Sequence, residues 1–131
     1  MTFVIVNVMD EEPTQPTIKS LVVYVPAKQF KVSQDFYRAL GFTLTEGWGK
    51  TFDCRLGNAI FRLQDYYVKD WAENFMIKLD VEDVEVWHKH IKAILDERSY
   101  GDARLTEPEM VGDTKILHVI DPSGVLLIFI Q

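Results

Sequence analysis

Residues 51–64, TFDCRLGNAIFRLQ, carry the groups best spaced for chemistry. Two β-prone runs, Thr51 to Leu56 and Ala59 to Gln64, flank Gly57-Asn58, a pair suited to a two-residue hairpin turn. Such a turn fixes the register and sets Asp53 opposite Arg62. Phe52, Cys54, Leu56, Ala59, Phe61 and Leu63 then share one face, all apolar, while Thr51, Asp53, Arg55, Ile60, Arg62 and Gln64 share the other. A carboxylate facing a guanidinium on a flat, wet sheet contributes little. In a concave cleft the same pair would orient a polar ligand, with Arg55, Gln64 and, from a later strand, Lys78 as further donors. Aromatic rings are the second candidate: Trp48 lies in a Gly-Trp-Gly turn, and Tyr66, Tyr67 and Trp71 crowd the connection after the hairpin.

The remaining reactive residue types form no catalytic pattern. His88 and His90 are two apart on a helical stretch and point to different sides, and His118 stands alone on a strand. No Ser, His and Asp arrangement can be assembled, and there is no glycine-rich phosphate loop. The acidic runs Asp10 to Glu12 and Glu82 to Glu85 read as solvated faces and helix-start charges. Cys54 is the single cysteine, which rules out an internal disulfide and a cysteine-based metal cluster, and its place in the alternation marks it as a buried thiol.

Two similar series of elements must position these groups. In the first, a strand over Ile18 to Val25 leads into VPAKQFKVSQDFYRALG, where Ser33 is the expected N-cap, Phe36, Tyr37 and Leu40 fall on one helical face, and Gly41 supplies the left-handed stop. A strand from Phe42 to Glu46 and the hairpin follow. Asp65 to Glu73 is read as a polar, aromatic link. The design then recurs: a strand from Asn74 to Val81 and a helix from about Asp83 to Arg98 with Val84, Trp87, Ile91, Ile94 and Leu95 as its apolar stripe. A loop-rich segment, Ser99 to Asp113, contains one short strand, Ala103 to Thr106. A closing hairpin, Lys115 to Ile120 and Val125 to Ile130, is turned by Asp121-Pro122-Ser123-Gly124 in a sequence suited to a type I turn. Trp87 and Phe36 are assigned to the core. Neither series buries both its faces alone, so pairing within the chain or in a dimer is expected.

The bulk numbers bound the partners. The 131 residues suffice for one packed domain or two very small modules sharing a core. A formal net charge of -6 argues against nucleic acid or an anionic membrane as partner. The longest apolar stretch, Val125 to Ile130, is too short to span a bilayer, and Met1 to Met9 lacks a basic leader region, which makes the cytoplasm the expected location. Met1 to Val8 is β-prone but is separated from the rest by Pro13 and Pro16, so residues 1–17 are read as an N-terminal extension.

Several segments together are similar to one family: VPAKQF, DFYRALGF, IFRLQD, FMIKLDVEDVEVW and HVIDPSGVLLIFIQ. They resemble the glyoxalase, bleomycin-resistance and extradiol-dioxygenase superfamily, the vicinal oxygen chelate proteins, over Ile18 to Gln131. Within it the look is closest to bleomycin resistance proteins, through the Pro-x-x-x-Phe lead-in, the Glu107-Pro108-Glu109 segment and the LLIFIQ ending. The resemblance implies an α+β fold, two βαβββ modules (about 18–65 and 74–131 of a single 18–131 domain) forming a cup-shaped mixed β-sheet with helices outside. It implies a homodimer that sequesters a small molecule, an antibiotic among them, in a cleft without chemistry. Enzymes of the superfamily hold a divalent metal from inward-facing strand positions. Carried across, those positions fall on Ser20, Arg62, Met76 and Ile128, which is no credible ligand set, and a guanidinium would repel the ion. The expectation is therefore a protein without metal or cofactor, leaning away from an enzyme, with a small-molecule ligand held by Trp48, Asp53, Arg55, Arg62, Gln64, Met76 and Lys78. Bleomycin is cationic whereas this cleft carries Arg55, Arg62 and Lys78, so an anionic or planar aromatic ligand is expected. The alternative is a metal-dependent lyase or dioxygenase with an unconventional set including Gln64 or His118.

Overall fold

The computed structural model describes residues 14–131, so the β-prone run Met1 to Val8 and Pro13 lie outside the described residues. Two sheets are formed, each from a strand, a helix and a return of antiparallel strands. The first contains β1 (Tyr24–Pro26), β2 (Thr43–Glu46), β3 (Thr51–Leu56) and β4 (Ala59–Gln64) in the order β1-β4-β3-β2, with α1 (Phe30–Leu40) between β1 and β2. A short helix, α2 (Lys69–Glu73), leads to the second sheet. There β5 (Met76–Asp80) is followed by α3 (Val84–Glu97), β6 (Arg104–Leu105), β7 (Glu109–Val111), β8 (Thr114–Ile120) and β9 (Leu126–Ile130), in the order β5-β9-β8-β6 with β7 also on β8. In both sheets the first strand pairs parallel with the last, β1 with β4 and β5 with β9, and the other pairings are antiparallel.

Each helix covers one face of its sheet. On α1, Phe36, Tyr37 and Leu40 are buried, and the Tyr37 ring meets Phe61 at 4.9 Å and Phe42 at 5.7 Å in edge-on contacts. On α3, Val84 and Ile91 are fully buried and Trp87 packs on Phe129 of β9 at 5.0 Å. Asp83 caps α3: its carboxylate accepts from the backbone N–H groups of Glu85 (2.9 Å) and Val86 (3.2 Å). The helices also pack on each other, where a His90 ring nitrogen lies 3.1 Å from the carbonyl of Leu40. The aromatic and aliphatic side chains of both helical faces merge into one buried cluster.

A polar lock joins the two halves. The Tyr37 hydroxyl donates to Asp121 Oδ2 at 2.7 Å, and Asp121 Oδ1 accepts from the backbone of Ser123 (2.8 Å) and Val125 (3.0 Å) in the β8–β9 turn. Ser33 Oγ lies 3.3 Å from Ser123 Oγ, which also accepts from the Lys28 N–H at 2.8 Å. These groups are buried and answer one another, as buried polar atoms must.

Four sequence expectations need correction. Helix α1 starts four residues earlier than a Ser33 cap would place it: Gln29 is the N-cap, without a side-chain bond, and Ser33 donates its N–H to the Gln29 carbonyl inside the first turn. Phe30, packed on Phe52 at 5.7 Å, extends the helix, and the Ser33 hydroxyl serves the lock instead. The first strand is three residues, not Ile18 to Val25, because its pairing with β4 begins only where Tyr24 meets Arg62; Ile18 and Leu21 are 86% and 78% exposed. The polar link contains α2, anchored by the buried Ala72. The segment Ser99 to Asp113 contains a second short strand, β7, besides the expected one.

Candidate functional site

Among the described residues both sheets keep one face free of helix, and these open faces carry the candidate residues. On β3 and β4 the alternation places Cys54, Phe61 and Leu63 against α1, all buried, and turns Asp53, Arg55, Ile60, Arg62 and Gln64 the other way. Asp53 stands opposite Arg62, as the two-residue turn requires, and Gly57 holds φ +59° at that turn. On β5, β8 and β9 the same logic buries Leu117, Val119, Leu127 and Phe129. It leaves Met76, Lys78, Ile116, His118, Ile120, Leu126, Ile128 and Ile130 on the open side, with Lys78 beside Ile128 and Ile128 beside His118.

The first open face is built around one fork. Arg62 donates from Nε to Asp53 Oδ1 at 2.6 Å and from a terminal nitrogen to Oδ2 at 3.1 Å, a bidentate pair. Its other terminal nitrogen donates to the Tyr24 hydroxyl at 3.3 Å, and the guanidinium lies 5.7 Å from the Tyr24 ring centre. The Arg62 hydrogen bond, more than its charge, draws the Asp53 carboxyl below the usual range, with Arg55 adding to the effect. Reciprocally, Asp53 and then Tyr24 hold the Arg62 guanidinium in its charged form. Gly47 borders the pair: a Cβ there would meet Thr51 Oγ1 at 2.6 Å and come within 3.6 Å of both Arg62 Nε and Asp53 Oδ1. The adjoining turn is pinned by Thr51 Oγ1 donating to the Trp48 carbonyl at 2.7 Å, and it presents the Trp48 ring 85% exposed.

The structure thus brings Asp53, Arg55, Arg62 and Gln64 onto one face with Trp48 in the bordering turn, and puts Met76 and Lys78 on the open face of the second sheet. Among the described residues no strand joins the two sheets. Of the four positions that the resemblance sets against metal ligands, Arg62, Met76 and Ile128 lie on the open faces, while Ser20 is exposed in the segment ahead of β1 rather than on a strand. These side chains do not fit a divalent ion: one is a cation already engaged with Asp53, one a thioether and one a hydrocarbon. Among the described residues no three His, Cys, Asp or Glu side chains converge as metal ligands, and Gln64 and His118 stand on different sheets. Sequence reasoning missed Tyr24, which only the β1–β4 register reveals as the neighbour of Arg62, and it missed the partnership of Tyr37 with Asp121.

Two further features lie on the helix side. A groove of about 550 Å³ opens between the halves, walled by Phe42, Leu56, Leu79, Trp87 and Phe129 with Lys78 and Asp80 among its lining. The Cys54 thiol is fully buried, and burial pushes its pKa up to about 12, so it is no nucleophile near neutral pH.

The parallel first-to-last strand pairing, the twofold repeat of strand, helix and antiparallel strands, and the open sheet faces together define the glyoxalase/bleomycin resistance fold. Solved structures of that fold superpose over most of the chain. A bleomycin-binding protein complexed with bleomycin is 22% identical with a TM-score of 0.71, covering 87% of this chain and 98% of that one. A bleomycin resistance determinant encoded on the transposon Tn5 is 23% identical with a TM-score of 0.72, covering 86% and 98%. A lactoylglutathione lyase from Agrobacterium tumefaciens is 12% identical with a TM-score of 0.62, covering 87% and 94%. No family model matches the chain, and no curated protein does. Among the described residues no helix is long and apolar enough to cross a membrane.

Proposed function

We propose that the protein is a metal-free small-molecule binding protein that sequesters its ligand without chemistry, in a cleft between two copies of the chain. The observation that carries this reading is the Asp53–Arg62 fork on the open sheet face, a fixed polar group at the position where the sequence resemblance puts a metal ligand in enzymes of the superfamily. The shared fold with a bleomycin-binding protein supports ligand binding as the use of that face.

The second open face supports the dimer. Its Leu126, Ile128, Ile130, Ile116 and Ile120 form an apolar surface with no helix over it among the described residues, beside Met76 at 66% exposure, and a sheet of this kind gains stability when a second layer covers it. In this reading residues 18–131 act as one domain whose modules, 18–65 and 74–131, meet those of a second copy. Arg62, Asp53 and Arg55 then line one wall of the cleft and the isoleucines with Met76 and Lys78 the other, while Trp48 and Gln64 border the entrance.

A thermal-shift screen against a metabolite and antibiotic library, with light scattering on the same sample, tests the proposal. A ligand that binds only the folded chain raises the melting temperature, by about 2.7 kcal/mol of added stability at a hundred times its Kd. The expected result is a dimer with discrete stabilising ligands whose effect is lost in R62A. A monomer stabilised by nothing contradicts it. Metal analysis separates the enzymatic alternative: stoichiometric Ni, Fe, Mn or Zn in the purified protein would replace this reading with the lyase or dioxygenase one.

A further inference from the structure

The charges on the two open faces bear on which chemistry the ligand presents. On the first, Arg62 is answered by Asp53 through both carboxylate oxygens, so the pair adds no net charge. On the second, Lys78 reaches Asp80 at 3.1 Å, while Arg104 stands opposite Ile120 at the other end of that face and donates to the Asp102 carbonyl at 3.1 Å. Arg55 differs from Arg62, its neighbour on the first face, and from Lys78. It shares the first face with Asp53, two residues further along β3 and so about 7 Å away. Its cross-strand neighbours are Thr43 and Ile60, neither of which is an acid. It is exposed, and it forms no ion pair among the described residues. On the first open face Arg55 is therefore, among the described residues, the cation with no counter-charge.

Beside it stands the Arg62–Tyr24 pair. Arg62 spends three of the five N–H donors of a guanidinium on Asp53 and Tyr24, which locks its plane and leaves two donors free. A locked guanidinium next to a tyrosine ring takes a planar partner by stacking, at small entropic cost. The chain as a whole carries -6, so its general field favours cations, and any preference for an anion has to come from a local positive group.

We propose, building on the binding reading above, that the ligand is a planar aromatic molecule with a single anionic group, its ring laid on the Arg62–Tyr24 platform and its anion taken by Arg55. Arg62 is then a positioning group, neutralised by its own partner, and Arg55 sets the charge preference. The diagonal span of about 7–8 Å between Arg62 and Arg55 on adjacent strands suits an acidic substituent on a fused two- or three-ring system.

Calorimetric titration with matched probes tests this: 2-naphthoate, 2-naphthamide and 2-naphthylmethylammonium, with the corresponding anthracene set. Wild type is expected to bind each carboxylate about ten-fold or more tighter than its amide, in line with a charge-assisted hydrogen bond, and the ammonium probes least. In R55A the carboxylate should bind no tighter than the amide, and R55K should keep the preference. An amide equal to its carboxylate, a preference that survives in R55A, or no heat from any probe at millimolar concentration overturns the inference. The library screen keeps the two ideas separable: other ligands that stabilise wild type and lose their effect in R62A leave the binding reading standing while this one falls.

Discussion

Replacing Tyr37 by Phe removes one hydroxyl and almost nothing else, because the ring keeps its contacts with Phe61 and Phe42. What it takes away is the 2.7 Å bond to Asp121 Oδ2, in a pocket where both residues are fully buried. Burial pushes the Asp121 carboxyl up to about 6, against the pull of Tyr37 and the turn amides toward the ionised form, so at pH 7.5 it is mostly a carboxylate. In the unfolded chain it titrates near 4. The folded state thus holds its proton longer, and this group's contribution to stability falls as pH rises from about 4 to about 6. Loss of a donor to a buried carboxylate costs about 1.5–3 kcal/mol, while loss of one to the protonated acid costs about 0.5–1.5. With about 0.28 kcal/mol per kelvin of unfolding entropy for 131 residues, Y37F should lower the Tm by about 5–11 °C at pH 7.5 and by roughly half that at pH 5. Urea unfolding at the two pH values reads the same difference. A cost equal at both, or under about 0.5 kcal/mol at pH 7.5, would refute the charged-acceptor account of the lock.

Other expectations follow from the site and its surroundings. D53A should move the Tm by no more than about 3 °C, since the pair is partly solvated, yet weaken every ligand found in the screen, because Arg62 loses the partner that fixes its plane. G47A forces a Cβ into Thr51 Oγ1 and should destabilise by about 1–3 kcal/mol, measured by urea unfolding, with a loss of the Trp48 orientation visible in near-UV circular dichroism. Cys54 should stay unmodified by a thiol reagent at pH 8 in native buffer, with no more than about a tenth reacted in an hour, and react fully in guanidinium; rapid native labelling would contradict its burial.

The legible parts of the fold were those in which a local pattern settles a geometry. Gly57-Asn58 fixed the register of the β3–β4 hairpin, and with it the meeting of Asp53 and Arg62. Asp83 and the stripe Val84, Trp87, Ile91 placed α3 to within a residue. The Asp121 turn was readable as a turn, but its second task was not, because no local pattern tells that Tyr37, 84 residues away, ends at the same carboxylate. Ile18 to Val23 looked like strand because β-propensity cannot count the partners available, and β4 offers Tyr24 its first one. Ser33 looked like a cap because its side chain suits one, while tertiary contacts of Phe30 and Ser123 decided otherwise. Tyr24 escaped notice for the same reason: parallel pairing between distant strands sets its neighbour.

The most direct measurement is a crystal structure of the protein with whichever ligand stabilises it most. The account predicts ligand density against the open face of the first sheet, within hydrogen-bonding distance of Arg62 or Arg55, closed over by the Met76 and Ile128 face of a second copy. Density confined to the groove beside Trp87, or an ion coordinated by protein atoms at that face, would contradict it.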